Sequence, residues 1–190
     1  NFSLGNTPSD GQELLAEMIV SGINYGGKVF LRVPGEEMFF LHLVLHQYKE
    51  SSLYFMVERS KELDLYKLAD IYYLIKAEAF DKRKAEEIVS RYQIADRLGA
   101  VLQQVGEVFE DDVILTEAKK YGGEQPDVID YERKRLYEWT APIRERICLY
   151  SALKYLRQRG KYDDNKARRG GCLVSFVCGK LFPRVAGKDV

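Results

Sequence analysis

The sequence is poor in the residues and motifs that announce a chemistry. It has two histidines and three cysteines in 190 residues. An odd number of thiols in a chain this long is not a disulfide framework. Cys172 and Cys178 are six apart, which fits no common zinc spacing. Cys148, Cys172 and Cys178 are therefore read as free thiols. An excess of one charge is also lacking: 29 basic side chains stand against 29 acidic ones. A protein built mainly to hold nucleic acid usually carries a basic surplus.

Long apolar runs are missing too. None approaches the roughly 18–20 residues that span a bilayer, and Asn1 to Asp10 is polar and turn-rich rather than basic and then apolar. A cytoplasmic protein with no membrane partner is expected. The first residue is Asn rather than Met, so more chain is expected upstream. Gly-Lys occurs four times, at Gly27, Gly160, Gly179 and Gly187, and is never followed by Ser or Thr, so there is no P-loop. No G-x-G-x-x-G follows a strand, and no G-x-S-x-G elbow exists. The Arg-then-His spacing of one class of helical ribonucleases is absent as well.

What is present is an ordinary globular balance, 46% hydrophobic and 31% charged, and a length that buries roughly 70% of the unfolded surface without staples. Apolar spacing predicts a helix over Glu13 to Val20, with Leu14, Leu15, Met18 and Ile19 on one side. Lys28 to Val33 reads as a strand, with Gly22 to Tyr25 as its partner across Gly26-Gly27. A lone strand pair is only marginally stable, so it must pack on helices or continue a sheet supplied from elsewhere. Met38 to Tyr48 predicts a central buried helix. Further helices are expected over Asp64 to Glu78, Lys84 to Tyr92 and Ile94 to Phe109, the last with a stripe from Ile94 to Phe109 that contains Gly99 and Gly106. Two helical glycines cost about 1 kcal/mol each relative to Ala, and close approach of a neighbouring helix would account for them. Thr116 to Tyr121 is expected to be a short helix, with Glu110, Asp111 and Asp112 as solvated charges at the end of the preceding one. Asp130 to Leu136 and Ile143 to Arg157 read as charged amphipathic helices. The fold class is mostly α (α+β), a helical bundle with a small β element near residues 23–33. It divides into a segment 1–35, a helical domain 36–160 and a basic extension 161–190.

Four constellations are candidates for function. His42 and His46 lie four apart on one helical face. Such a pair can chelate a metal, but the zincin pattern needs Glu after the first His, where Leu43 stands; helix packing is the plainer reading, and no metal ligand is assigned. Asp64 and Asp70 flank a helix and either hold a cation or a basic group of a substrate, or pair with Arg59, Lys61 or Lys67 and orient the helix. The acidic trio 110–112 lacks a shown ligand geometry. Lys154 to Arg169, with Arg157, Arg159, Lys161, Lys166, Arg168 and Arg169 interleaved by Tyr155 and Tyr162, is the best phosphate or nucleic-acid candidate, against a solvated surface run.

The run from Val29 through Pro34-Gly-Glu-Glu37 to Leu41-His-Leu-Val-Leu-His46, followed by Arg59 and by Asp64-Leu-Tyr-Lys-Leu-Ala-Asp70, resembles the later half of the uncharacterised nucleotidyltransferase family of the DNA polymerase β-like superfamily. There a strand leads through Pro or Ser and acidic residues into an L-H-L-x-x-H helix and then a D-L-x-x-L-x-D helix. The likeness covers about residues 13–110, and more thinly Trp139 to Arg146. It implies that residues 1–35 are the tail of an upstream nucleotidyltransferase domain, and that His42, His46, Arg59, Asp64 and Asp70 line a cleft or pack its helices. The family's Gly-Ser turn and paired aspartates hold Mg²⁺ on a nucleoside triphosphate. This chain has no Gly-Ser dipeptide and no Asp-x-Asp, so no catalytic residue is carried over, and the metal and nucleotide are implied only for the complete family. The expected function is the helical, acceptor- or partner-binding part of a nucleotidyltransferase, not catalytic by itself. The alternatives are a non-enzymatic helical interaction module and a nucleic-acid binder acting through residues 154–169.

Overall fold

The fold was read from a computed structural model that describes residues 12–25, 31–59, 61–147 and 185–187. Among these residues eight helices and five short strands alternate in an α+β arrangement dominated by helices. In chain order they are α1 (Gln12–Val20), β1 (Ile23–Tyr25), β2 (Leu31–Val33), α2 (Glu36–Ser51), α3 (Tyr54–Glu58), α4 (Leu65–Ile75), α5 (Lys82–Tyr92), α6 (Ala95–Phe109), α7 (Asp112–Lys120), β3 (Val128–Asp130), β4 (Arg135–Trp139), α8 (Ile143–Arg146) and β5 (Val185–Gly187). No helix among the described residues is long and apolar enough to cross a membrane.

The core forms around α2, as its apolar sequence predicts. Phe40, Leu41, Val44 and Leu45 are almost wholly buried, and each such side chain contributes about 1.5–3 kcal/mol by leaving water. Helices α4, α5 and α6 pack on α2. Glu36 and Glu37 sit in its first turn, where the macrodipole favours a carboxylate. Glu37 also ties α2 to the start of α5: its Oε2 lies 2.7 Å from Lys84 Nζ, and its Oε1 accepts the Asp81 N–H at 3.2 Å. Helix α1 brings Leu14 and Met18 into the same core. Glu17 holds α1 to α5 through Arg91 at 3.1 Å and through the Tyr92 hydroxyl. Ile19, expected beside Leu14 and Met18, is instead exposed.

The two glycines of α6 are explained by close approach. A Cβ on Gly99 would lie 2.7 Å from Gly123 N and 2.8 Å from Tyr121 O; one on Gly106 would lie 2.7 Å from the Leu115 side chain. The contacting residues belong to α7 and the turn after it, and α7 is the most extensive neighbour of α6.

Strands β1 and β2 pair antiparallel with Ile23 opposite Val33, as the sequence predicts. Among the described elements neither has an extensive backbone neighbour besides the other. A second sheet lies where the sequence predicts a helix. It has the order β3-β4-β5, antiparallel throughout, and a bridge from Leu53 to Ile129 extends it to the start of α3.

Three expectations are corrected. Asp130 to Leu136 is not a helix but the bend of the β3–β4 hairpin. The Asp130 carboxylate accepts the N–H groups of Glu132 and Arg133, both at 3.0 Å, and Lys134 takes a left-handed conformation with φ 53°. This Asx turn outweighs helical charge spacing. Helix α7 begins at Asp112, not Thr116, because Asp111 caps it: its Oδ1 accepts from Val113 N at 3.1 Å and Ile114 N at 3.2 Å. The acids 110–112 thus open a helix, where Asp111 and Asp112 suit the dipole, as well as following one. Lastly, the described part of the helix predicted from Ile143 ends at Arg146.

Candidate functional site

The two histidines project from the same side of α2, their ring centroids 6.2 Å apart. Helical periodicity places them there, while the buried Leu41, Val44 and Leu45 on its other faces anchor the helix in the core. Burial holds the His42 imidazole below its ordinary pKa. Burial lowers His46 as well; the Glu50 carboxylate pulls it back up, and Lys67, His42 and Lys49 push it down. Both rings are therefore neutral at neutral pH and offer one donor and one acceptor nitrogen each.

Helix α4 brings Lys67 to this face. Its ammonium pairs with the Glu50 carboxylate and lies 3.4 Å from His46 Nδ1. Glu50 stands one turn beyond His46, 3.7 Å from the same nitrogen. The result is a polar strip along the α2–α4 seam: two neutral imidazoles, a partly buried carboxylate and an ammonium. It can exchange hydrogen bonds with a hydroxyl-bearing or amide-bearing partner.

The remaining sequence candidates do not all converge on this strip. Asp64 is the N-cap of α4, accepting from Tyr66 N at 3.4 Å. Asp70 is half-buried and accepts a hydrogen bond from Tyr66; burial and the nearby Asp64 charge hold its pKa above the usual carboxylate value. Lys67, one of the partners considered for these aspartates, is taken by Glu50. Arg59 lies over the Phe55 ring, 4.0 Å from its centroid. The basic residues Arg157, Arg159, Lys161, Lys166, Arg168 and Arg169, and all three cysteines, lie outside the described residues.

The donor set does not fit a magnesium–triphosphate clamp. Such a clamp needs several carboxylate oxygens around one point, and among the described residues no three of His, Cys, Asp or Glu come together in that way. A cavity of about 20 Å³ lies elsewhere, between Phe40, Phe80, Leu98 and Leu102, with Glu117 and Tyr121 at its edge. It has room for a water-sized guest.

Sequence reasoning missed a chain of buried polar groups. Gln47 Nε2 donates to the Glu62 carbonyl at 2.7 Å and to Gln104 Oε1 at 3.0 Å. Gln104 donates to Gln125, which also receives Arg146 Nη2 at 3.0 Å, and the Arg146 guanidinium lies 3.7 Å from the Trp139 ring centroid. The chain links α2 and α6 to the loop before β3 and to α8. A glutamine within an amphipathic pattern reads as surface, so only the tertiary fold reveals it. Compared with known proteins, the chain matches no family model, no curated protein and no solved structure.

Proposed function

We propose that this chain is the helical, acceptor- and partner-facing part of a cytoplasmic nucleotidyltransferase and does not catalyse transfer by itself. The observation that carries the reading is the order of elements around the histidine face. Strand β2 runs through Pro34-Gly35 into α2, which carries His42 and His46, and the Asp64-capped α4 packs beside it. That order agrees with the layout implied by the resemblance. The β1–β2 ladder fits the same reading as the end of a sheet completed by an upstream domain, since a strand pair alone is marginal. That domain would hold magnesium and the nucleoside triphosphate, while the neutral imidazoles and Lys67 would present hydrogen-bonding groups to the acceptor.

The test is nucleotide transfer by the whole polypeptide its gene encodes. The expected result is Mg²⁺-dependent transfer that requires a Gly-Ser and Asp-x-Asp segment before Asn1, and that weakens when His42 and His46 are both replaced by Ala. A gene with no such segment, or transfer indifferent to the double replacement, contradicts the reading.

A further inference from the structure

We propose that α3 and the β3–β4 turn form a stacking surface for single-stranded nucleic acid, separate from the histidine strip and from residues 154–169. Two cation–aromatic assemblies start from adjacent residues of α3. On α3, Phe55 is 50% exposed and carries the Arg59 guanidinium 4.0 Å from its ring centroid. Next to it in the chain, Tyr54 stacks on Tyr137 of β4, with centroids 4.6 Å apart and planes 26° apart, and Arg133 lies 5.4 Å from the Tyr54 ring. Tyr131, at the start of the turn, is 53% exposed. These parts are fixed to one another, because Leu53 bridges to Ile129 and Ile129 N donates to Ser52 O at 2.8 Å.

The segments 54–61 and 130–135 carry more cations than carboxylates. Within residues 54–61 and 130–135 the cations Arg59, Lys61, Arg133, Lys134 and Arg135 face three carboxylates, Glu58, Asp130 and Glu132. Asp130 is already committed to Arg133 at 3.0 Å. Among the described residues Arg59, Lys61, Lys134 and Arg135 are exposed and take part in no ion pair.

An unpaired base has a π-face for Phe55 or Arg59 and a phosphate for the neighbouring cations, the combination that single-strand binders use. A duplex hides those faces, and an acidic polypeptide has none to stack. The inference uses no residue of the histidine strip; of the residues the resemblance singles out it uses Arg59 alone, as the cation over Phe55.

The experiment is fluorescence anisotropy of the full chain with labelled oligo-uridylate, a duplex of equal length and polyglutamate. Single strands should bind best at low salt. Phe55→Ala should weaken that binding roughly five-fold or more, the lower end of what one stacked base is worth. Arg59→Gln with Arg135→Gln should also flatten its dependence on salt. Phe55 and Arg59 are exposed, so the melting temperature should stay close to that of the parent chain and separate lost binding from lost folding. Arg59→Lys keeps the charge without the flat guanidinium and should restore only part of the affinity. Absence of binding, equal binding of duplex or polyglutamate, or loss only when Arg157, Arg159, Arg168 and Arg169 are neutralised would overturn the proposal.

Discussion

Replacing Gly99 by Ala tests the packing account most sharply, because two opposed effects of known size meet there. In an open helix the change stabilises by about 1 kcal/mol, since Ala loses less backbone freedom. Here the new methyl would lie 2.7 Å from Gly123 N and 2.8 Å and 2.9 Å from the Tyr121 carbonyl atoms. All three are backbone atoms of the turn after α7, and that turn includes two glycines at positive φ, 98° and 51°. The turn cannot yield by rotating a side chain, so the strain falls at or above the upper part of the about 1–3 kcal/mol range for overpacking. The net cost is about 1–2 kcal/mol, a fall in melting temperature of roughly 2–8 °C for a chain of this size. Gly106→Ala is the internal comparison. Its nearest atoms belong to the Leu115 side chain, which can turn aside, so it should cost less. Calorimetric melts of the two variants and the parent decide the matter. A Gly99→Ala protein that melts at or above the parent temperature would show that the α6–α7 approach is not as close as described.

Asp111→Ala should lower stability by about 1 kcal/mol in urea titrations, since it removes the two N–H acceptor bonds that open α7; no loss would contradict the reassigned helix start. Asp70→Asn should raise the melting temperature at neutral pH. Burial and Asp64 raise the folded-state pKa of Asp70, so its ionisation opposes folding above that pKa, and the advantage of Asn should fade as pH falls below the ordinary carboxylate range. An Asn benefit independent of pH would refute this assignment. Arg146→Ala should cost about 3 kcal/mol by leaving a cavity and shift the emission of Trp139, the sole tryptophan, whereas Arg146→Met should cost less by refilling the space; equal effects would contradict the packed guanidinium.

Much of the helical layer is legible in the sequence because a 3.6-residue apolar period is strong wherever one face is buried. Helices α2, α5 and α6 fall within a few residues of their expected bounds, and Ile23 to Tyr25, within the expected Gly22 to Tyr25, pairs with the strand ending at Val33. The hairpin after Val128 reads as a helix in the sequence because Glu132, Arg133 and Arg135 offer helix-like charge spacing, while the deciding feature, the Asp130 side chain folding back on its own turn, is a three-residue effect. The start of α7 is hidden in the sequence for a related reason. Asp111 looks the same in sequence whether it ends one helix or opens the next, and only its hydrogen bonds to Val113 and Ile114 decide. At the candidate site the spacing of His42 and His46 was enough to put them on one face. The arrival of Lys67 and Glu50 was not legible, because it depends on how α4 packs against α2.

We propose that residues 1–190 hold acceptor-facing groups and do not themselves activate a nucleotide. The direct measurement is incubation of this chain alone with each α-labelled nucleoside triphosphate and Mg²⁺, followed by separation of free from transferred label. No label above the protein-free blank is the expected result. Robust transfer by residues 1–190 would contradict it.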